Sequence, residues 1–146
     1  MNSFKKLYID FLDALIKEVS LYKNEENIWK LSGSISNTAG NLCLHICGNL
    51  NHFYGAVLLK NGYARERDME FSKKNVSTAE LIKCVEETKS MIEEFFDSVT
   101  AEDINKIYPE DKFGENATYG FIFSRLVSHL SYHVGQINYH RRILDA

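Results

Sequence analysis

Apolar and polar residues recur along this chain with the 3.6-residue period of an α-helix, and four long segments carry the pattern. The first runs from about Asn2 to Lys23, with Leu7, Phe11, Leu12, Leu15, Val19 and Tyr22 on one side. A polar stretch, Asn24 to Asn27, is followed by Ile28-Trp29-Lys30-Leu31 and a turn at Ser32-Gly33-Ser34. The second segment spans Thr38 to Leu59, with Asn37 placed to cap it. Leu42, His45, Ile46, Asn49, Phe53 and Ala56 form its inward stripe, and Asn61-Gly62 stops it. Tyr63 to Asn75 is strongly charged and reads as a loop.

The third helix has the clearest start. Ser77 and Glu80 are spaced as a capping box, with Val76 and Leu81 placed as the hydrophobic staple around it. Its stripe is Leu81, Val85, Thr88, Ile92 and Phe95. Thr100 caps a short turn through Ile107, and a loop with Pro109 and Gly114 leads to the last helix, Thr118 to Leu144. There Ile122, Leu126, His129, Leu130, His133 and Ile137 face inward. Four long amphipathic helices without a convincing strand predict an all-α fold, a four-helix bundle forming one domain over residues 1–146. Linkers of unequal length leave the packing order open.

Composition narrows the function classes. The hydrophobic fraction of 45% and charged fraction of 25% are those of an ordinary globular protein. Net charge is −3 with both signs mixed, so there is no basic footprint for nucleic acid. Arg141-Arg142 suit the dipole at a helix end better than phosphates. Met1 to Leu15 reads as an amphipathic helix, not a signal peptide, and no apolar run is expected to approach the length of a membrane span. Cys43, Cys47 and Cys84 are too few and scattered for a disulfide framework, which predicts a reduced, cytoplasmic protein.

The histidines carry the chemistry. His129 and His133 are four residues apart, a rotation of about 40° and a rise of about 6 Å, so both rings lean to one helix face. His45 lies on the apolar side of another helix, and imidazoles from facing helices build metal sites inside bundles. The same pattern also fits core histidines with hydrogen-bond partners. Two buried imidazoles would then need two partners. His52 follows His45 by seven residues and His140 follows His133 by seven, an axial separation of about 10 Å that one ion does not bridge. Both are expected at the bundle's end or in solvent. Cys43 and Cys47 also sit four apart, but His45 lies about 200° round the helix from each, so packing is the better reading for them. Cys84 has no His or Cys nearby in sequence.

Three segments together resemble the DinB-like superfamily, in particular a bacterial subgroup of unknown function within it. They are Leu44-His45-Ile46-Cys47-Gly48-Asn49-Leu50, Arg65-Glu66-Arg67-Asp68-Met69-Glu70-Phe71, and His129-Leu130-Ser131-Tyr132-His133-Val134-Gly135-Gln136-Ile137. The resemblance implies a four-helix bundle whose metal ligands fall on His45, His129 and His133, with zinc or nickel as the ion. It also implies a homodimer and a metal-dependent S-transferase using a low-molecular-weight thiol such as bacillithiol or mycothiol on a small electrophile. A hydrolase is the lesser enzyme reading. The alternative is a dimeric bundle that binds metal or a small ligand without catalysis. Gly48 and Gly135 are placed either to let helices approach closely or simply to pack, and Asn49 and Gln136 either to orient a ligating imidazole or to satisfy a buried backbone group. Arg67 and Glu70 match the subgroup's charged loop. Arg65, Arg67, Arg125, Arg141 and Arg142 are scattered in sequence, with no evident set for a thiol's carboxylates.

Overall fold

Five α-helices, α1 (Asn2–Ser20), α2 (Ala39–Leu50), α3 (Arg67–Ser72), α4 (Thr78–Ser98) and α5 (Tyr119–Leu144), make up the chain in a computed structural model describing residues 1–146. A π-helical segment, Asn51–Leu59, continues α2 without a break, and short 3₁₀ turns occupy Glu25–Trp29, Ala101–Asn105 and Asp111–Phe113. There is no strand; a single antiparallel bridge joins Ile107 to Thr118. The all-helical expectation is met. The fifth helix, α3, lies where the charge pattern reads as a loop.

Helix starts follow the caps. Ser77 Oγ accepts from Glu80 N–H at 3.2 Å while Glu80 Oε2 accepts from Ser77 N–H at 3.1 Å. Thr118 Oγ1 likewise accepts from Phe121 N–H. At α2 the cap is Thr38, not Asn37: its hydroxyl accepts from Asn41 N–H at 3.2 Å and donates to Asn41 Oδ1 at 2.7 Å. That arrangement frees the Asn41 side-chain amide to donate to the carbonyls of Glu70 (2.9 Å) and Lys73 (2.8 Å). The start of α2 thus anchors the end of α3.

α1 packs on α4 and α5, and α2 packs on α4, α5 and α3. The buried face of α1 is Tyr8, Leu12, Leu15 and Val19, a 4-3-4 spacing that leaves Leu7 43% exposed and outside the stripe. Hydrogen bonding offsets the cost of burying Tyr8: its hydroxyl donates to Phe123 O at 2.7 Å and accepts from Tyr54 at 2.8 Å. The Ala39–Leu59 stretch has no charged residue and is, by length and composition, apolar enough to cross a membrane, contrary to the expectation that no run approaches the length of a span. Its most apolar window is 61% buried inside the protein, as in a core helix. This central helix brings His45 opposite the inner face of α5.

Candidate metal centre

His45 projects from α2, and His129 and His133 from successive turns of α5. Their Nε2 atoms meet: His45 to His129 is 3.3 Å and His129 to His133 is 3.0 Å. The three donor atoms lie within 4.8 Å of one another, a group that can hold a metal ion. A tetrahedral set with metal–nitrogen bonds near 2.05 Å has nitrogen–nitrogen edges of about 3.3 Å. Two of the three edges are close to that value, and the third is no longer than 4.8 Å.

The remaining ring nitrogens decide where the protons sit. His45 Nδ1 is 2.8 Å from Glu70 Oε2, and His133 Nδ1 is 2.7 Å from Gln136 Oε1. Both oxygens are acceptors, so both Nδ1 atoms donate. The Nε2 atoms of His45 and His133 therefore present lone pairs toward His129, which can donate to only one of them. A cation between the three satisfies every lone pair. Such a donor set could hold a metal ion.

Glu70 is the residue whose role the charge pattern hides. Within the stretch read as a loop it is only 6% exposed. Arg65 clamps it, donating from Nε to Oε1 at 2.6 Å and from Nη2 to Oε2 at 2.9 Å. Burial alone would raise the Glu70 carboxyl, but hydrogen bonds from His45 and Arg65 outweigh it and hold the group below the usual carboxylate range. The carboxylate therefore stays ionised and fixes the His45 tautomer. Gly48 makes room for it, since a Cβ there would collide with Glu70 Oε1. Gly48→Ala is expected to push the carboxylate off His45 and weaken metal binding about tenfold or more, as loss of such outer partners does; calorimetric zinc titration checks this.

Residues 6–146 match the model of a family described as "Protein of unknown function (DUF1572)". The chain belongs to the DUF1572 family. No curated protein and no solved structure matches it. In this DUF1572 member the three histidines of the sequence reading come together, whereas the other two are engaged elsewhere. His140 is not in solvent; it is 3% exposed. Its Nε2–H donates to Lys30 O at 2.9 Å and its Nδ1 accepts from the Tyr22 hydroxyl at 2.7 Å, leaving no lone pair for an ion. His52 stands 3.4 Å from Glu110.

Other expectations are corrected. A Cβ at Gly135 would meet nothing within 4 Å, so this glycine serves no close approach. Gln136 does orient an imidazole, but Asn49 does not, and its buried Oδ1 has no partner. Cys84 lies beside Cys47 across α2 and α4; the hydrogen bond to Cys47 and burial push its thiol up, and Cys47 is raised as well. Neither is poised as a thiolate nucleophile. Three of the five scattered arginines converge: Arg65, Arg67 and Arg125 line one cavity of about 210 Å³ with His45 and His129, whereas Arg141 pairs with Glu18 and Arg142 lies over Tyr139. A larger cavity, about 460 Å³, lies on the Cys47–Cys84 side and includes none of the histidines.

Burial first, then the neighbouring charges of His133 and His45, push His129 down to about 4 from its ordinary 6.5. Burial also lowers His133, against the opposing hydrogen bond to Gln136. An imidazole depressed in the native state takes up its proton first in the unfolded state. Stability is therefore lost as pH falls from about 6.5 toward 4, and is unaffected by these groups above that window. Glu70, depressed likewise, adds its own loss as pH falls through the ordinary carboxylate value toward its lower native one. Melts in chelator are expected to be flat near neutral pH, to decline across that acidic window, and to decline again on the alkaline side as the unfolded chain ionises the thiols that the fold keeps protonated.

Proposed function

We propose that this chain is a DinB-like, divalent-metal-binding helical bundle acting as a metal-dependent thiol S-transferase on small electrophiles. His45, His129 and His133 would hold the ion, zinc or nickel. The observation that carries the reading is the convergence of three Nε2 atoms, two of them on rings whose protons are committed elsewhere. Three imidazole donors leave coordination room for a further ligand, the pattern of reactive rather than structural sites. Such an ion would supply Lewis acidity, lowering the pKa of a thiol so that it reacts at neutral pH.

The chain's own groups do the rest. Glu70 and Gln136 hold two imidazoles in the ligating tautomer, and the adjoining cavity shelters the reactants. No carboxylate lines that cavity. Hydrolysis would lack a general base beyond the ligands themselves, whereas a thiolate nucleophile needs none. The three cysteines are free, in keeping with a reducing cytoplasm. The outward side chains Phe121, Tyr132, Tyr139 and Ile143 of α5 are exposed and would suit a homodimer contact.

The test is adduct formation. Protein loaded with zinc or nickel is mixed with bacillithiol, mycothiol or simpler thiols and monochlorobimane. The expected result is fluorescence that depends on both metal and thiol. Absence of any metal-dependent adduct across these thiols would reject transfer and favour a non-catalytic metal- or small-ligand-binding bundle.

A further inference from the structure

The cavity beside the histidines is unusual in charge. Arg65, Arg67, Lys112 and Arg125 all line it, in a protein whose net charge is −3. Arg65 is neutralised by Glu70. None of the chain's ion pairs involves Arg67, Lys112 or Arg125. Two of the three free cations are steadied on aromatic faces: Arg67 lies 5.4 Å over the Phe71 ring and Lys112 5.0 Å over Phe53. Arg125 stands one turn before His129 on the same face of α5. Like charges gathered round one concavity repel each other and focus a positive field into it, an arrangement that a bound anion relieves.

A second, independent feature points the same way. Asn49, also lining the cavity, is 7% exposed, and its Oδ1 is buried with no hydrogen-bond partner. A buried acceptor without a donor costs free energy that a ligand's hydroxyl or amine would recover.

We propose that this cavity recognises a small carboxylate or phosphate bearing a hydroxyl or amine. Its anionic group sits among Arg67, Lys112 and Arg125, and its donor reaches Asn49 Oδ1. This deepens the transferase reading, on which it rests for its role, by naming the charge of the substrate or thiol that would lie beside the histidines. The anion site itself stands on these four side chains and needs no metal.

Nuclear magnetic resonance titrations in chelator, following the Asn49 side-chain amide and the Arg125 Nε–H, test it. Lactate and glycerol phosphate supply an anion with a hydroxyl; propionate lacks the hydroxyl, and glycerol lacks the charge. Saturable shifts are expected with lactate or glycerol phosphate, and the tighter of the two tells carboxylate from phosphate. Propionate should bind about tenfold more weakly than lactate, one hydrogen bond's worth. Glycerol should give no shift. The double variant R125Q/K112Q should weaken anion binding about tenfold or more. Equal response to glycerol and the anions, or an unchanged double variant, would overturn the proposal. Zinc titration of the same samples separates the two readings. Anion binding without zinc binding removes the metal and keeps this site, and zinc binding without anion binding does the reverse.

Discussion

His129→Ala is expected to lower zinc or nickel affinity by more than about 100-fold, beyond the range that outer-sphere partners cost, while His140→Ala leaves it unchanged. His129 Nε2 is the atom that both other imidazoles approach, so its loss leaves two donors on separate helices. His133→Ala should behave the same way. The effect of His140→Ala falls elsewhere: the Tyr22 hydroxyl and Lys30 carbonyl lose their partner inside the protein. Stability should fall by about 1–3 kcal/mol, the cost of buried polar groups left unsatisfied. Calorimetric metal titration and thermal melts on both variants separate ligand from structural histidine. Equal metal affinity in all of them would mean that the convergence has no bearing on metal.

Glu70→Ala is the second variant with a large effect, and it acts on fold and site together. The Arg65 side chain is only 8% exposed, so removing its carboxylate leaves a buried guanidinium unpaired. Breaking such a pair costs about 3–5 kcal/mol. The same change leaves His45 Nδ1–H without its acceptor, and metal affinity should drop about 10–100-fold. Glu70→Gln keeps a carbonyl for His45 while removing the charge. It should lose stability but retain more metal affinity than the alanine variant. Chemical denaturation and zinc titration on the pair distinguish tautomer control from a purely structural ion pair. If the alanine variant binds metal like the wild type, Glu70 serves the fold alone.

The parts of this molecule that are legible in its sequence are those set by local rules. The Ser77–Glu80 capping box, the 4-3-4 runs of α4 and α5, and the shared face of His129 and His133 follow from helix geometry over one or two turns. The pairing of His45 with them is a tertiary event, signalled only by its apolar flank and the family resemblance. What the sequence conceals is long-range. Glu70 sits in a six-residue helix whose charged sequence has too few turns to show a period, and its burial depends on Arg65, His45 and the Asn41 side chain. The meeting of Arg67, Lys112 and Arg125 likewise draws on three separate segments. Asn37 and Thr38 are both good caps, and only the backbone path of α2 chooses between them.

The most direct test is the metal content of protein purified without a histidine tag or chelator, then dialysed against zinc or nickel and analysed by elemental mass spectrometry. One ion per chain in the wild type, lost in His129→Ala, is the predicted result. A wild-type chain that stays free of metal at saturating zinc and nickel would contradict the account at its root.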